Sequence, residues 1–441
     1  MNGAVPRIAY LTAGAGGMLC GSCLHDNTLA AALAARGADV QLIPTYTPIR
    51  TDEADVSVDQ VFFGGVNIYL QQKIPLFRHL PRLFDRWFDS PRLLRAVSSR
   101  ASEMSMKELG GLAVSMLRGR SGYQRKEVDR LCRWLEEEVK PHLLLFTNVL
   151  IGGCIPTLRE RLGVPILVTL QGDDIFLDAL PEPYRGQAIE EIRKLVPLVD
   201  GFLVHSRFYQ ERMGPELGIP PEKFHRVKLG IDVRDFAPPE TVEAAANRPP
   251  TIGYLARLAP EKGLHRLVDG FLRLKELPGM EAVRLHVAGW LAPHRKPYAE
   301  EQFERIRAAG HGDAFRYLGE VSRAEKAKFL HEIDVLSVPT EYHDPKGLFV
   351  LEALACGVPV VQPEHGAFPE LLAATGGGLL VRPGDPQHLA EALAGLLADS
   401  ETRLALGQSA RDRIHAEFSG PAMAESTWEV ISRFLPEEFR R

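Results

Sequence analysis

Cysteine is scarce in this sequence: five in 441 residues, an odd number. That argues against a disulfide framework and fits a reducing compartment. No apolar run approaches the roughly 18–20 residues that span a bilayer. The first residues carry neither the basic start nor the long apolar stretch of a secretory signal, so a cytoplasmic protein is expected. Basic charge is not in excess either. The formal net charge is −5, which excludes a general nucleic-acid binder. Histidines at metal-ligand spacing on one helix are lacking, as are solenoid repeats and low-complexity tracts, so no metal and no cofactor is expected.

The length allows two domains with separate cores, and 45% hydrophobic with 25% charged residues is ordinary globular composition. Short apolar runs alternate with helical stretches. Strands are expected at Arg7 to Thr12, Asp39 to Pro44, Leu143 to Thr147, Ile166 to Leu170 and Gly201 to Val204. A second series is expected at Thr251 to Tyr254, Arg284 to Ala288, Phe315 to Leu318, Val335 to Val338 and Val358 to Val361. A helix is expected over Asn27 to Arg36. Repeated strand–helix–strand units mean parallel sheets covered on both faces. The expected domains are 1–232 and 251–412, joined by a Pro/Ala-rich linker at 233–250 and followed by a C-terminal helical stretch, 413–441, with a break near Gly420-Pro421. Residues 73–126 fall outside the alternation and are rich in arginine interleaved with Leu, Phe and Trp. They read as a helical insertion with a solvated basic face, and weak membrane-surface contact is the competing reading. Cys20 and Cys23 form a Cys-x-x-Cys pair, for which a redox or metal role competes with a plain glycine-rich turn.

The most informative stretch runs from Asp344 to Val361. Two carboxylates, Asp344 and Glu352, stand eight positions apart, with Gly347 and an apolar run between them. Gly347 can open a helix over Leu348 to Ala355, whose first N–H groups make an anion site. The carboxylates can accept hydrogen bonds from hydroxyls at the two ends of an elongated anionic ligand. A nucleotide-sugar has that form. Arg257 and Lys262, on the loop after the first strand of the second half, supply two cations for a diphosphate. Gly16 and Gly17 lie in a turn where backbone N–H groups can approach a phosphate. Gln171 and Asp173 end a first-half strand, where sheet ligands bind, and are expected to face the acceptor or the donor sugar. There Asp173 and Asp174 suit a base, a metal or a helix N-cap.

These segments resemble the Glu-x7-Glu signature of retaining family 4 glycosyltransferases and their glycogen- and starch-synthase relatives. Gly347-Leu348-Phe349-Val350-Leu351-Glu352-Ala353 and Gly357-Val358-Pro359-Val360 match it, and aspartate (Asp344) replaces the first glutamate. Arg257-Leu258 and Lys262-Gly263 resemble the family's Arg-Leu-x(3)-Lys-Gly loop, and Lys228-Leu229-Gly230-Ile231-Asp232 the segment that closes its first domain. Gln171 stands where many members have histidine. The resemblance implies an α/β GT-B fold, two Rossmann-like doubly wound parallel-sheet domains facing across a cleft, with the last helix returning to the first. It implies retaining transfer from a nucleotide-sugar donor to a hydroxyl acceptor, of glycan, glycolipid or small-molecule type. Glu352 would bind ribose, Asp344 the donor sugar, Arg257 and Lys262 the diphosphate, and the amides of Leu348 and Phe349 a phosphate. Gly16 and Gly17 would face that phosphate from the other domain. The alternatives are a degenerate nucleotide-sugar-binding protein and a sugar-nucleotide epimerase on the same fold.

Overall fold

The computed structural model describes residues 5–14, 20–63, 106–236 and 248–440. Gly16 and Gly17, residues 73–105 of the basic segment and linker residues 237–247 lie outside them. The chain forms two compact units: Met1–Lys228 with Ala424–Arg441, and Leu229–Met423.

The first unit is built on β1 (Arg7–Thr12), β2 (Asp39–Pro44), β3 (Leu143–Phe146), β4 (Ile166–Thr169), β5 (Gly201–Val204) and β6 (Phe224–Arg226). They form one sheet in the order β2-β1-β3-β4-β5-β6, parallel at every pairing. β3, β4 and β5 are buried along their whole length, the continuous apolar run of a sheet covered on both faces. The helices that matter below are α1 (Gly21–Ala35), α2 (Met106–Leu117), α3 (Asp173–Ala179), α4 (Tyr184–Leu195) and α5 (Arg207–Leu217).

The second unit repeats the plan with β7 (Thr251–Leu255), β8 (Arg284–Ala288), β9 (Phe315–Tyr317), β10 (Val335–Leu336), β11 (Val360–Pro363) and β12 (Gly378–Val381), ordered β12-β11-β10-β7-β8-β9 and again parallel. Its helices include α6 (Leu264–Lys275), α7 (Arg323–His331) and α8 (Leu348–Ala355). The strand order reverses between β1 and β3 in one sheet and between β7 and β10 in the other. Loops leaving the C-terminal ends of such neighbours diverge to opposite faces and open a crevice for a ligand.

Three details depart from the sequence-based expectation. β6 and β12 lie at sheet edges and are partly exposed, so they lack the apolar run that announces a buried strand. β10 is only two residues long. α1 begins at Gly21, six residues before the expected start, because its first two turns bury polar residues rather than an apolar stripe.

The described end of the basic segment is α2, whose Val114 and Leu117 join the core of the first unit. A Cβ on Gly110 would stand 2.6 Å from the Tyr184 ring of α4. Among the described residues no helix is long and apolar enough to cross a membrane. At the C-terminus, helix Ser400–Glu417 ends before α9 (Gly420–Phe434). Residues Ala424–Arg441 belong to the first unit, where Trp428 lies under the Arg36 guanidinium at 5.4 Å and Phe434 and Phe439 contact the rings of His225 and His142.

Candidate functional site

In the second unit, the loop leaving β7 carries Arg257 and Lys262. It turns through the short helix Pro260–Lys262 and ends at Gly263, which has φ +71°. A Cβ there would stand 1.7 Å from the Pro339 carbonyl oxygen. Only glycine combines that dihedral with that approach, and the contact holds the Lys262 loop against the exit of β10. Glu341 N–H donates to the Glu261 carbonyl across the same seam at 3.0 Å.

The β10 exit then delivers Asp344 to Lys262. Asp344 is buried. One oxygen accepts from the backbone N–H groups of Lys346 (3.0 Å) and Gly347 (2.9 Å). The other accepts from the Lys262 ammonium (3.1 Å) and the Tyr342 hydroxyl (2.6 Å). Burial alone would raise the pKa of this carboxyl. Lys262, Tyr342 and the two amides outweigh it and hold the group well below the usual carboxylate range. Asp344 is therefore an anion at every working pH. Lys262 also donates to the Tyr342 hydroxyl and faces the Tyr342 and Phe349 rings. Asp344 and Tyr342 thus use two of its three N–H donors, and the third can serve a ligand.

Helix α8 starts at Gly347 (φ +70°) with no side-chain cap and is buried throughout. The N–H groups of Leu348 and Phe349 are its first, in the position where a helix start accepts an anion. Glu352, in the second turn, is buried and accepts from Lys326 of α7 at 2.5 Å. Lys326 is itself buried and lies over the Phe236 ring at 5.7 Å, beside Arg323 at 5.1 Å. Arg257 is more open: its side chain is 39% exposed, with Glu261 3.7 Å from the guanidinium. Asp344, Lys262, Glu352 and the amides of Leu348 and Phe349 are therefore assembled on adjoining elements at the C-terminal ends of β7 and β10, with Arg257 at their open side.

The two segments His365 to Glu370 and Gly378 to Asp385 frame the neighbouring ground. Gly366 presses on the backbone of Asp344, where a Cβ would come within 2.7 Å. A cavity of about 150 Å³ opens beside it, with Arg266, Glu341, His343, His365, Arg382 and Asp385 in its wall.

The first unit has its own buried carboxylate at the C-terminal ends of β1, β3 and β4. Asp26 of α1 is fully buried. It accepts from Tyr10 (2.6 Å), Thr12 (2.7 Å), Thr147 (2.5 Å) and the Gln171 amide (2.9 Å), with His25 at 3.2 Å. Burial acts to raise its pKa, but the hydrogen bond and charge of His25, then Thr147 and Tyr10, lower it below the ordinary value. Gln171 is 4% exposed. Its Nε2 donates to Asp26, to the Thr147 carbonyl and to the Thr147 hydroxyl. A carboxylate can only accept, so the amide nitrogen is the atom turned inward.

Asp173, the first residue of α3, is also buried and accepts from the N–H groups of Val149 (2.8 Å) and Gln171 (3.0 Å). Burial pushes its pKa up to about 7, against those two bonds. Asp174 is bound by Tyr209 of α5 at 2.8 Å. Among the described residues no group of three or more His, Cys, Asp or Glu side chains is placed to hold a metal ion.

Sequence reasoning passed over Lys326, Tyr342 and Asp26. A lysine placed in a helix opened by a Ser322–Glu325 capping box, and a tyrosine two residues before Asp344, carry little signal alone. His25-Asp26-Asn27-Thr28, four polar residues in a row between Leu24 and Leu29, was the available sign of a buried polar cluster.

Comparison with known proteins adds a family to this geometry. Residues 240–413 match the family described as Glycosyl transferases group 1. A D-inositol 3-phosphate glycosyltransferase of Xylanimonas cellulosilytica is 30% identical over 310 residues, covering 66% of this chain and 70% of the relative. A GDP-mannose-dependent monoacylated alpha-(1-6)-phosphatidylinositol monomannoside mannosyltransferase of Corynebacterium glutamicum is 27% identical over 304 residues, covering 64% and 76%. Among solved structures, sucrose-phosphate synthase from Thermosynechococcus elongatus superposes with a TM-score of 0.69 at 20% identity over 97% of this chain and 98% of that one. The Anabaena HepE protein, solved in complex with UDP and glucose, gives 0.68 at 16% identity over 97% and 100%. Both share the two-domain GT-B fold seen here.

Proposed function

This chain belongs to the glycosyl transferases group 1 family, and from that premise we propose that it is a retaining glycosyltransferase that moves a sugar from a nucleotide-sugar to a hydroxyl acceptor of glycan, glycolipid or small-molecule type. One observation carries the reading: Asp344 is locked as an anion by Lys262, Tyr342 and two backbone amides at the start of the helix that also carries Glu352.

In this reading the nucleotide-sugar lies across the start of α8. Glu352, oriented by Lys326, accepts hydrogen bonds from the ribose hydroxyls. The N–H groups of Leu348 and Phe349, the third donor of Lys262 and the open guanidinium of Arg257 take the diphosphate, and stabilise the charge that grows on it as the glycosidic bond breaks. Asp344 accepts from hydroxyls of the donor sugar and favours the positive charge developing on its ring. Among the described residues of this site, no side chain is assigned as a covalent nucleophile. Retention follows if the acceptor enters on the face the phosphate leaves and the departing phosphate takes its proton. These cations would carry the diphosphate without a metal, so chelator should leave the rate unchanged. Gly16 and Gly17 keep their proposed role as phosphate-facing amides on sequence grounds. The cytoplasm, with the acceptor on a lipid at the inner membrane face as one case, is the proposed setting.

The test is a donor screen by thermal shift, followed by nucleotide release with candidate acceptors and NMR of the product anomer. Saturating nucleotide at 100 times Kd adds about 2.7 kcal/mol of stability, enough to detect. An inverted product would sink the retaining mechanism. Binding without turnover on any acceptor would favour a protein that only binds its nucleotide-sugar, and donor interconversion without transfer would favour an epimerase.

A further inference from the structure

The Cys20-x-x-Cys23 pair takes no part in the transfer reaction above, and its placement has a chemistry of its own. We propose that Cys20 and Cys23 are a redox-active dithiol that closes to an intramolecular disulfide by exchange with low-molecular-weight disulfides of the glutathione class. The inference does not depend on the transferase reading.

Three observations carry it. First, register: α1 begins at Gly21 and Cys20 is its N-cap, with extended backbone at φ −124° and ψ 125°. Cys23 is then the third helical residue. An N-cap side chain folds back over that position, which is why capping boxes pair these two sites. Here the two thiols meet, Cys23 sharing a hydrogen bond with Cys20. Second, exposure: Cys20 is partly open, whereas Cys23 is 2% exposed, and Cys132, Cys154 and Cys356 are all buried. One sulfur can meet a solute and the other can only meet its neighbour. Third, electrostatics: the first turn of α1 holds no acidic residue, so the positive end of the helix dipole lies beside the attacking sulfur. The Cys23 thiol is pushed far up, first by its hydrogen bond with Cys20, then by burial. It therefore waits as the neutral thiol while Cys20 reacts.

The exchange balances in two steps. The Cys20 sulfur attacks one sulfur of the small disulfide, the S–S bond breaks, and the leaving thiolate takes the Cys20 proton. The Cys23 sulfur then attacks Cys20 Sγ and displaces the second thiolate, which takes the Cys23 proton. Two protein thiols are oxidised, and one small disulfide is reduced to two thiols. The dithiol sits one helical turn before Asp26, the carboxylate that orients Gln171.

The experiment equilibrates the full chain with mixtures of reduced and oxidised glutathione, quenches in acid, alkylates and maps peptides by mass. The expected result is loss of alkylation at Cys20 and Cys23 together, with the other three cysteines alkylated as before. Cys23→Ser should accumulate a single glutathione adduct on Cys20, forming about 10-fold faster in the folded protein than in urea. Cys20→Ser should form neither adduct nor disulfide at Cys23. Thermal unfolding confirms that each variant is folded. Five alkylated cysteines at the most oxidising mixture, a disulfide mapped elsewhere, or a folded rate no faster than the unfolded one would overturn the proposal.

Discussion

Asp344 and Asp26 are both buried carboxylates at the C-terminal ends of central strands, yet they are neutralised in opposite ways. Asp344 faces a lysine whose ammonium keeps a donor in reserve. Asp26 instead accepts from three hydroxyls and an amide, with His25 beside it. The first arrangement leaves charge available to a ligand, and the second uses its polar capacity to fix the ends of three strands and one helix. Burial and low pKa are common to both, so neither property separates a working group from a structural one. The destination of the partner's remaining hydrogen bonds does.

The sharpest way to break this comparison is to delete each carboxylate and read both activity and stability. Asp344→Ala should lower kcat about 10³-fold, the scale of losing one fixed electrostatic contact to the transition state. Because it leaves Lys262 buried without its anion, Asp344→Asn is the control for folding. Full sugar transfer by both variants would remove Asp344 from the site. Asp26→Ala should instead cost about 3 kcal/mol of stability, since Tyr10, Thr12, Thr147 and Gln171 lose their shared acceptor in a dry interior. Denaturant unfolding measures it. If the Asp26 variant were as stable as wild type and merely inactive, the contrast would be reversed.

Partner distance also explains what the sequence reveals. Asp344 takes three of its four partners from Tyr342, Lys346 and Gly347, within three residues of itself, and the helix that follows has a recognisable apolar run and glycine start. Such a site is legible as a motif. The partners of Asp26 come from Tyr10, Thr12, Thr147 and Gln171, up to 145 positions away, and only the folded sheet brings them together. Central strands were legible for the same local reason, through their apolar runs, whereas the edge strands β6 and β12 were not. Lys326 is a long-range partner too. It reaches Glu352 from another helix, with Phe236 beneath it.

Lys326 supplies the next test, of intermediate size. Lys326→Met keeps the packing over Phe236 but withdraws the donor that orients Glu352. Nucleotide Kd should rise about 10-fold, or about 1.4 kcal/mol, with little change in kcat at saturating donor. Titration calorimetry with the nucleoside diphosphate measures it. A fall in kcat with unchanged Kd would move Glu352 from the ribose to the reacting centre.

The smallest expected effect concerns Asp173, which stands beside Gln171 and tests whether the first unit holds a titrating group as well as a structural one. Its folded pKa, about 7, lies above the ordinary aspartate value because burial disfavours the anion more than the Val149 and Gln171 amides favour it. A carboxyl whose pKa rises on folding binds its proton more tightly in the folded state. Its stabilising contribution is then complete below pH ~4 and lost as pH climbs toward 7. This slope opposes that of Asp344 and Asp26, whose lowered values stabilise the protein above the ordinary carboxylate pKa and lose that contribution as pH falls. Asp173→Asn cannot ionise, so its stability relative to wild type should improve between pH 5 and pH 8, by about 1 kcal/mol once local relaxation tempers the burial cost. Unfolding curves at those two pH values decide it. A pH-independent difference would mean that Asp173 is already ionised in the folded protein at pH 5, held by its two amides in the same manner as Asp344.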